Sequence, residues 1–334
     1  MSRTLNVSII GSGQIGSRHL QALSNLKGSV CIQLVDPSSK SLEIACQRFH
    51  SVYQENSERI SLQTLNSIDG LDESQDIVII STDAVVRSKV LKELIQKKNI
   101  KAIISEKVLF QTEAEYFEMD ALLKEKKIPV WVNCILRATD FFRNLKTLLD
   151  SNETILMKVD GADWGLACNG IHILDLFAFL SGCKDFEFTD IRFDRVIPDF
   201  KRPGSKEFIG EMTGKNSQGH KLIMNCKESE HEKENQRGVK TIQIENGSNH
   251  HIITVHMDRV THKSKTKNNE TEVTESLPLQ SQITHRLIED IIKNGSCGLP
   301  TYSESMGLHL FLIRAFLEHL SKTTGKRVTR CPIT

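Results

Sequence analysis

Three things are scarce in this 334-residue sequence: paired cysteines, long apolar runs and a surplus of charge of either sign. The eight cysteines, at positions 31, 46, 134, 168, 183, 226, 297 and 331, are scattered singly, with no C-x-x-C pair. That spacing argues against a zinc knuckle or a disulfide framework and for small buried thiols, so no metal is expected. No apolar stretch approaches the ~20 residues needed to cross a bilayer. Lysine and arginine number 43 against 42 acidic residues, a net charge of +1, so no global field recruits nucleic acid or an anionic membrane. Nothing near the start reads as a basic segment, apolar core and cleavage site. The expectation is a cytoplasmic protein with neither nucleic-acid nor membrane partners.

The apolar share of 39% and the charged share of 25% are those of a globular chain, and the length allows two domains, each with its own core. The most informative stretch lies at 5–23. An apolar run at 5–10 reads as a buried strand, Gly11-Ser12-Gly13-Gln14-Ile15-Gly16 follows, and helical periodicity then takes over. In such a turn the first glycine permits a sharp exit from the strand and the second lets a pyrophosphate approach the backbone. The third lets the helix lie close to the sheet, with its N-terminal amides facing the phosphates. A glycine triplet alone is also found in plain tight turns. Here a strand precedes it, an amphipathic helix follows, and a second apolar run at 31–35 ends in Asp36. An acidic residue there accepts hydrogen bonds from a ribose 2′-hydroxyl, which favours NAD over NADP.

Helical spacing recurs at 40–49, 87–98 and 113–127, and strand-like runs at 75–83, 101–107 and 129–133. Continuous rather than alternating apolarity fits strands covered on both faces, and the alternation of strand and helix predicts an α/β doubly wound parallel sheet. Ligands of such sheets bind beyond the carboxyl ends of the strands. That rule gathers Gly11 to Gly16, Asp36, Ser81, Thr82, Asp83, Glu106, Lys107 and Asn133 along one edge, with Lys107 beside the cofactor.

Several of these residues form a familiar set: Gly11-x-Gly13-x-x-Gly16-x-x-His19, Asp36, Ser105-Glu106-Lys107 at a strand end, and Gly170-x-His172-x-x-Asp175 early in the second half. With a closing helix and a Gly-Lys-Arg-Val tail at 325–328, the chain resembles the Gfo/Idh/MocA family of NAD(P)-dependent sugar oxidoreductases. The resemblance implies a Rossmann domain over 1–133 and an α+β domain over 134–334. The second domain would bind a sugar substrate and form a homodimer or homotetramer through a large open, mainly antiparallel sheet. It also matches Arg137 to the family's arginine after the last strand of the first domain, a substrate contact. Two positions depart from the pattern. Val108 stands where the family usually has proline after Glu-Lys, and Cys168 stands where an aspartate often precedes the histidine by four residues; Asn169 is its neighbour.

In the second half, helices are expected at 139–150 and 171–180, a strand at 153–159, and a glycine-rich cleft lining at 161–170. Strands are expected at 186–193, 207–212, 221–226, 239–245 and 251–256, and helices at 281–292 and 303–322, packed against the first domain. The polar stretches at 228–236 and 262–272 read as solvated hairpin ends. Histidines 220, 231, 250, 251, 256 and 262 read as scattered surface groups.

The expected reaction is hydride transfer between nicotinamide and a hydroxyl-bearing carbon. It needs one proton carrier near the reacting oxygen. Lys107 is the first candidate, the alternative being a surface pair with Glu106 or Asp83. His172 is the second, the alternative being a satisfied histidine at a helix start. Asn169 either orients a substrate hydroxyl or caps the helix, and Trp164 either stacks on a sugar or belongs to core or interface. No arginine cluster marks a phosphate or nucleotide-diphosphate pocket; Arg137, Lys201 and Arg202 are the residues that could contribute to one. The rival readings are a non-catalytic NAD(P)-binding sensor or assembly subunit, and an eliminase or hydrolase that recycles NAD.

Overall fold

The apolar runs of the first half become a six-stranded parallel sheet. The computed structural model describes residues 3–53, 59–199, 204–228, 239–266 and 269–334. In chain order the first elements are β1 (Leu5–Ile10), α1 (Gln14–Leu23), β2 (Val30–Val35), α2 (Ser39–His50), β3 (Ile60–Leu65), β4 (Ser74–Ile80), α3 (Ala84–Lys97), β5 (Asn99–Ser105), α4 (Glu113–Lys126) and β6 (Val130–Val132). The strands lie in the order β3-β2-β1-β4-β5-β6, all pairs parallel. The order reverses at β1, whose neighbours are β2 and β4, and a doubly wound sheet opens its ligand crevice at such a reversal. Strand β3 is absent from the expectations above. Its sequence, Ile-Ser-Leu-Gln-Thr-Leu, alternates and sits at the sheet edge, so it lacks the continuous apolarity of its neighbours.

The chain forms two compact units. The first comprises Met1–Phe110, Ala114–Asn133 and Pro278–Ser303, so the late helix α7 (Gln280–Asn294) belongs to it and packs on α1. The second comprises Gln111–Glu113, Cys134–Leu277 and Glu304–Thr334. It contains α5 (Asp140–Leu148), β7 (Ile155–Ala162), α6 (Leu166–Ser181), β8 (Glu187–Phe193), β9 (Gly210–Lys215), β10 (Lys221–Lys227), β11 (Lys240–Asn246), β12 (Asn249–Val255), β13 (Arg259–Lys265), β14 (Glu270–Ser276) and α8 (Tyr302–Thr324). Its eight strands run β14-β13-β12-β11-β7-β10-β9-β8. All pairs are antiparallel except β7 with β10. Alternation along β11 and β12 buries Ile242, Ile244, Ile253 and Val255 on one face, while Gln243 and Ile252 lie on the exposed face. The buried face packs on α6, and a cluster of Phe193, Phe208 and Phe316 joins α8 to the same core.

Three expectations need correction. Helix α6 begins at Leu166, before the expected 171, because Gly165 at φ +79° turns the chain directly into it. The stretch at 262–272 is mostly strand, since Thr261–Thr274 and Ser264–Thr271 hydroxyl pairs suit polar residues to the β13–β14 ladder. The histidines are not uniformly at the surface. His220 is buried and its Nδ1 accepts from the Ile155 amide at 2.9 Å, and His251 is buried with Nδ1 3.1 Å from Nε2 of His262. Most of 228–236, with His231, lies outside the described residues.

Packing at the β1–α1 turn is set by Gly16. A Cβ there would lie 1.9 Å from the Gly11 carbonyl oxygen and 2.8 Å from Ser81 Oγ. Backbone cannot yield to such a clash, so Gly16→Ala is expected to cost about 3 kcal/mol or more. Gly13→Ala is expected to cost under about 1 kcal/mol, the scale of a changed helix cap. Urea or thermal unfolding of the two variants measures the contrast.

Candidate active site

The carboxyl ends of β1, β2, β4, β5 and β6 bring the expected residues of the first unit to one edge. Gly11 has φ +98°, a conformation that favours glycine, and a Cβ there would meet the Thr82 amide nitrogen at 2.9 Å. Gly13 differs from its two neighbours in the motif. Its φ is an ordinary −61°, and a Cβ would meet no atom within 4 Å. The protein's own packing therefore does not demand glycine at 13. What a side chain would obstruct is approach from outside, toward the first amides of α1.

Asp36 braces this turn: Oδ2 accepts from the Ser12 amide at 2.7 Å and Oδ1 from the Ser38 amide at 2.8 Å. Each carboxylate oxygen keeps a further lone pair for a hydroxyl donor. The Ser81 hydroxyl lies 2.6 Å from the Gly11 carbonyl and 3.1 Å from that of Ile10, which ties β4 to the glycine turn. Asp83 caps α3, accepting from the Val85 amide at 2.9 Å. Gln14 and Ile15 form the first turn of α1, where Gln14 is exposed. Ser12 Oγ, Thr82 Oγ1 and Asn133 Oδ1 are buried without a hydrogen-bond partner among the described residues. Leaving such atoms unmet costs about 1–3 kcal/mol each, so this edge fits a polar ligand carrying hydroxyls and phosphates, as a dinucleotide does.

Beside it lies a buried polar chain. Glu106 accepts from His19 Nε2 at 2.9 Å and from Asn133 Nδ2. Asn133 also donates to Gln280 Oε1 at 2.8 Å, and Gln280 Nε2 donates to Thr284 Oγ1 at 2.8 Å. His19 Nδ1 sits 2.9 Å from that same hydroxyl. Burial pushes the Glu106 carboxyl up, but the hydrogen bond and charge of His19, the Asn133 amide and the charge of Lys107 outweigh it and hold it at about 2. Half-buried Lys107 thus follows directly on a carboxylate that its partners hold ionised. The loop carrying it is held by the buried Arg87, whose guanidinium donates to the carbonyls of Thr82 and Val108 and, at 3.2 Å, of Leu109. Val108 is fully buried and the Lys107–Val108 peptide is cis.

In the second unit, α6 carries the remaining candidates. Trp164 is core, 1% exposed, and its indole donates to the Asn225 carbonyl at 2.8 Å. Asn169 lies inside α6 rather than at its cap, and its amide donates back to the Trp164 carbonyl at 2.7 Å. Half-buried His172 and buried Asp175 are one turn apart. Arg137 Nη1 is 3.4 Å from Asp175 Oδ1, and its guanidinium carbon is 5.0 Å from the Phe179 ring centre. Burial pushes the Asp175 carboxyl up to about 7, against the pull of Arg137. Lys201 and Arg202 lie outside the described residues.

Four residues of the first unit escaped sequence reasoning as parts of the site: His19 in its partnered role, Arg87, Gln280 and Thr284. His19 had a signal, three residues beyond Gly16 and so on a neighbouring face of α1. The others had none, since each acts through a partner distant in sequence.

Two of the buried carboxyls, Glu106 and Asp175, predict opposite pH dependences of stability. Glu106 is lower folded (about 2) than unfolded (4.5), so its contribution is present above 4.5 and lost as pH falls toward 2. Asp175 is higher folded (about 7) than unfolded (3.8), so its contribution is full below 3.8 and lost as pH rises toward 7. Urea unfolding between pH 3 and 8 is expected to show that Asp175→Asn flattens the decline toward neutrality. Glu106→Gln is expected to destabilise most at neutral pH and to flatten the acid limb.

Residues 5–134 match the family model described as "oxidoreductase family, NAD-binding Rossmann fold", Gfo/Idh/MocA. No curated protein matches the sequence. Among solved structures, the fold is similar to a 3-ketoreductase from Actinomadura kijaniata in complex with TDP-benzene and NADP (TM-score 0.69, 14% identity, covering 94% of this chain and 96% of that one). It is similar also to a UDP-N-acetylglucosamine 3-dehydrogenase from Acidithiobacillus ferrooxidans (TM-score 0.68, 12% identity, 94% and 97%). A third is an oxidoreductase from Agrobacterium radiobacter in complex with NAD+, L-tartaric acid and magnesium (TM-score 0.68, 15% identity, 92% and 94%). At these identities the likeness is one of fold. The glycine turn, the six-stranded parallel order and Asp36 all lie within residues 5–134, the segment that matches the NAD-binding Rossmann fold of the Gfo/Idh/MocA oxidoreductases.

Proposed function

We propose that the protein is an NAD(P)-dependent oxidoreductase that transfers a hydride between nicotinamide and a hydroxyl-bearing carbon of a sugar or sugar derivative. The observation that carries this reading is Gly13, a glycine that the surrounding protein does not require and that keeps the α1 amides open. Gly11 to Gly16 would hold the pyrophosphate and Asp36 a ribose, NAD being favoured because a 2′-phosphate would meet the Asp36 carboxylate. Ser12, Thr82 and Asn133 would use their unmet polar atoms on the same ligand.

When bound, the nicotinamide supplies the hydride acceptor or donor. The chain's own task is to align the substrate and handle one proton. Lys107 holds that proton at Nζ and donates a hydrogen bond to the reacting oxygen when a ketone is reduced. In the oxidative direction it receives the hydroxyl proton. Glu106 does not compete for it, because its carboxylate is already occupied by His19 and Asn133. His172 is the second proton carrier, on α6 of the second unit, with Asn169 and Arg137 as further substrate contacts. Similar solved structures named for a 3-ketoreductase and a nucleotide-sugar 3-dehydrogenase support a sugar or nucleotide sugar as substrate. The exposed face of the eight-stranded sheet, with Ile252 43% exposed, is read as a homodimer or homotetramer contact. Among the described residues no helix is long and apolar enough to cross a membrane.

Two variants test the assignment. Gly13→Ala is expected to weaken NADH binding, followed by nicotinamide fluorescence, at least tenfold. Lys107→Met is expected to leave that binding within about threefold but to lower kcat by about a hundredfold or more, the scale of a lost general acid–base. Unchanged NADH binding in Gly13→Ala would remove the basis of the reading. Tight NADH binding with no turnover on a panel of sugars and nucleotide sugars would favour the sensor.

A further inference from the structure

In the second unit, a cavity of about 160 Å³ is lined by Arg137, Lys146, Asp175, Phe179, Lys184 and Glu304. Three cations therefore face a space that holds two acids. One, Glu304, is already paired with Lys184 at 2.8 Å. The other, Asp175, is 1% exposed and meets Arg137 only at 3.4 Å. Arg137 and Lys146 converge on one aromatic ring, at 5.0 Å and 4.4 Å from the centre of Phe179. Like charges brought together in a partly dry setting repel. The Lys146 ammonium is accordingly held below its ordinary range, by burial first and by Arg137 second.

Two further atoms point to a missing partner. Asp175 Oδ2 and Arg137 Nε are buried with no hydrogen-bond partner among the described residues. The cavity exceeds the ~30 Å³ share of a single water several times over. A group that answers all of these features is small, carries negative charge for Arg137, Lys146 and Lys184, and offers both lone pairs and an exchangeable proton to Asp175. A phosphoryl group has that chemistry, with a second ionisation near pH 6.

We propose that this cavity is a phosphoryl-binding subsite, in which Arg137, Lys146 and Lys184 hold the oxyanion and Asp175 shares a proton with it. The subsite shares Arg137 with the substrate contacts proposed above, while Lys146, Asp175 and Lys184 have no part in that reading. Its occupant is inorganic phosphate or the phosphoryl group of a larger molecule, and the two differ in what else is tolerated at the mouth.

Thermal unfolding of the full chain at pH 7 provides the test, with sodium phosphate, glucose 6-phosphate or sodium chloride added at matched ionic strength. Phosphate stabilises many proteins by exclusion, an effect that grows without saturating and is shared by variants. A bound ion instead gives a saturating rise in Tm. The expected result is saturation by phosphate in the millimolar range, with at least tenfold weaker apparent affinity in both Lys146→Gln and Lys184→Gln. A parallel response to glucose 6-phosphate would assign the site to phosphorylated molecules, and its absence to the free ion. A rise with phosphate that is linear, or equal in wild type and Lys184→Gln, would overturn the proposal. Lys184 is exposed, so that variant remains informative even if Lys146→Gln folds poorly.

Discussion

The burial of one carboxylate organises the reactive end of the first unit. Glu106 stands at the carboxyl end of β5 with 5% of its surface exposed, and an ionised group so placed is tolerated only with partners around it. Those partners come from α1 through His19 and from the end of β6 through Asn133. Gln280 and Thr284 then hold His19 and Asn133 in turn, from the start of α7. This explains why Pro278–Ser303, late in the chain, is part of the first unit: the polar chain needs a donor and an acceptor that the sheet does not provide. The ordering also bears on Lys107, whose neighbour in sequence is thereby fixed and whose loop is strapped from the other side by Arg87.

The glycine turn obeys a second constraint, and its three glycines are not equivalent. Gly11 and Gly16 are demanded by backbone that lies within 3 Å of where a Cβ would stand. Gly13 is not, and its smallness has a use only if something outside comes close. Steric need within the protein and access for a ligand are thus separable inside one six-residue motif. The distinction converts a pattern match into a physical statement about where a ligand fits.

Much of this was legible in the sequence because the signals were local or periodic. Continuous apolar runs mark β1, β2, β4, β5 and β6, and the rule that ligands sit at strand carboxyl ends gathers Asp36, Ser81, Glu106 and Asn133 from sequence alone. Edge strand β3 was illegible because its half-exposed alternation resembles a loop, and the early start of α6 was hidden by glycines that read as cleft lining. Trp164 had equal claims to a sugar and to the core until its indole was seen to donate to Asn225. The long-range pairings were out of reach altogether. Nothing in the order of residues says that Thr284 meets His19, or that Arg137 and Lys146 share one phenylalanine ring.

The proposed function requires that a dinucleotide bound at the 11–16 turn be used for hydride transfer to carbon. Incubating the protein with stereospecifically 4-deuterated NADH and keto-sugar or keto-nucleotide-sugar acceptors, followed by mass spectrometry of the product, reads this directly. The expected result is one deuterium on the carbon that bore the ketone, delivered from a single face of the nicotinamide. NADH that binds at the glycine turn while no acceptor gains deuterium would contradict it.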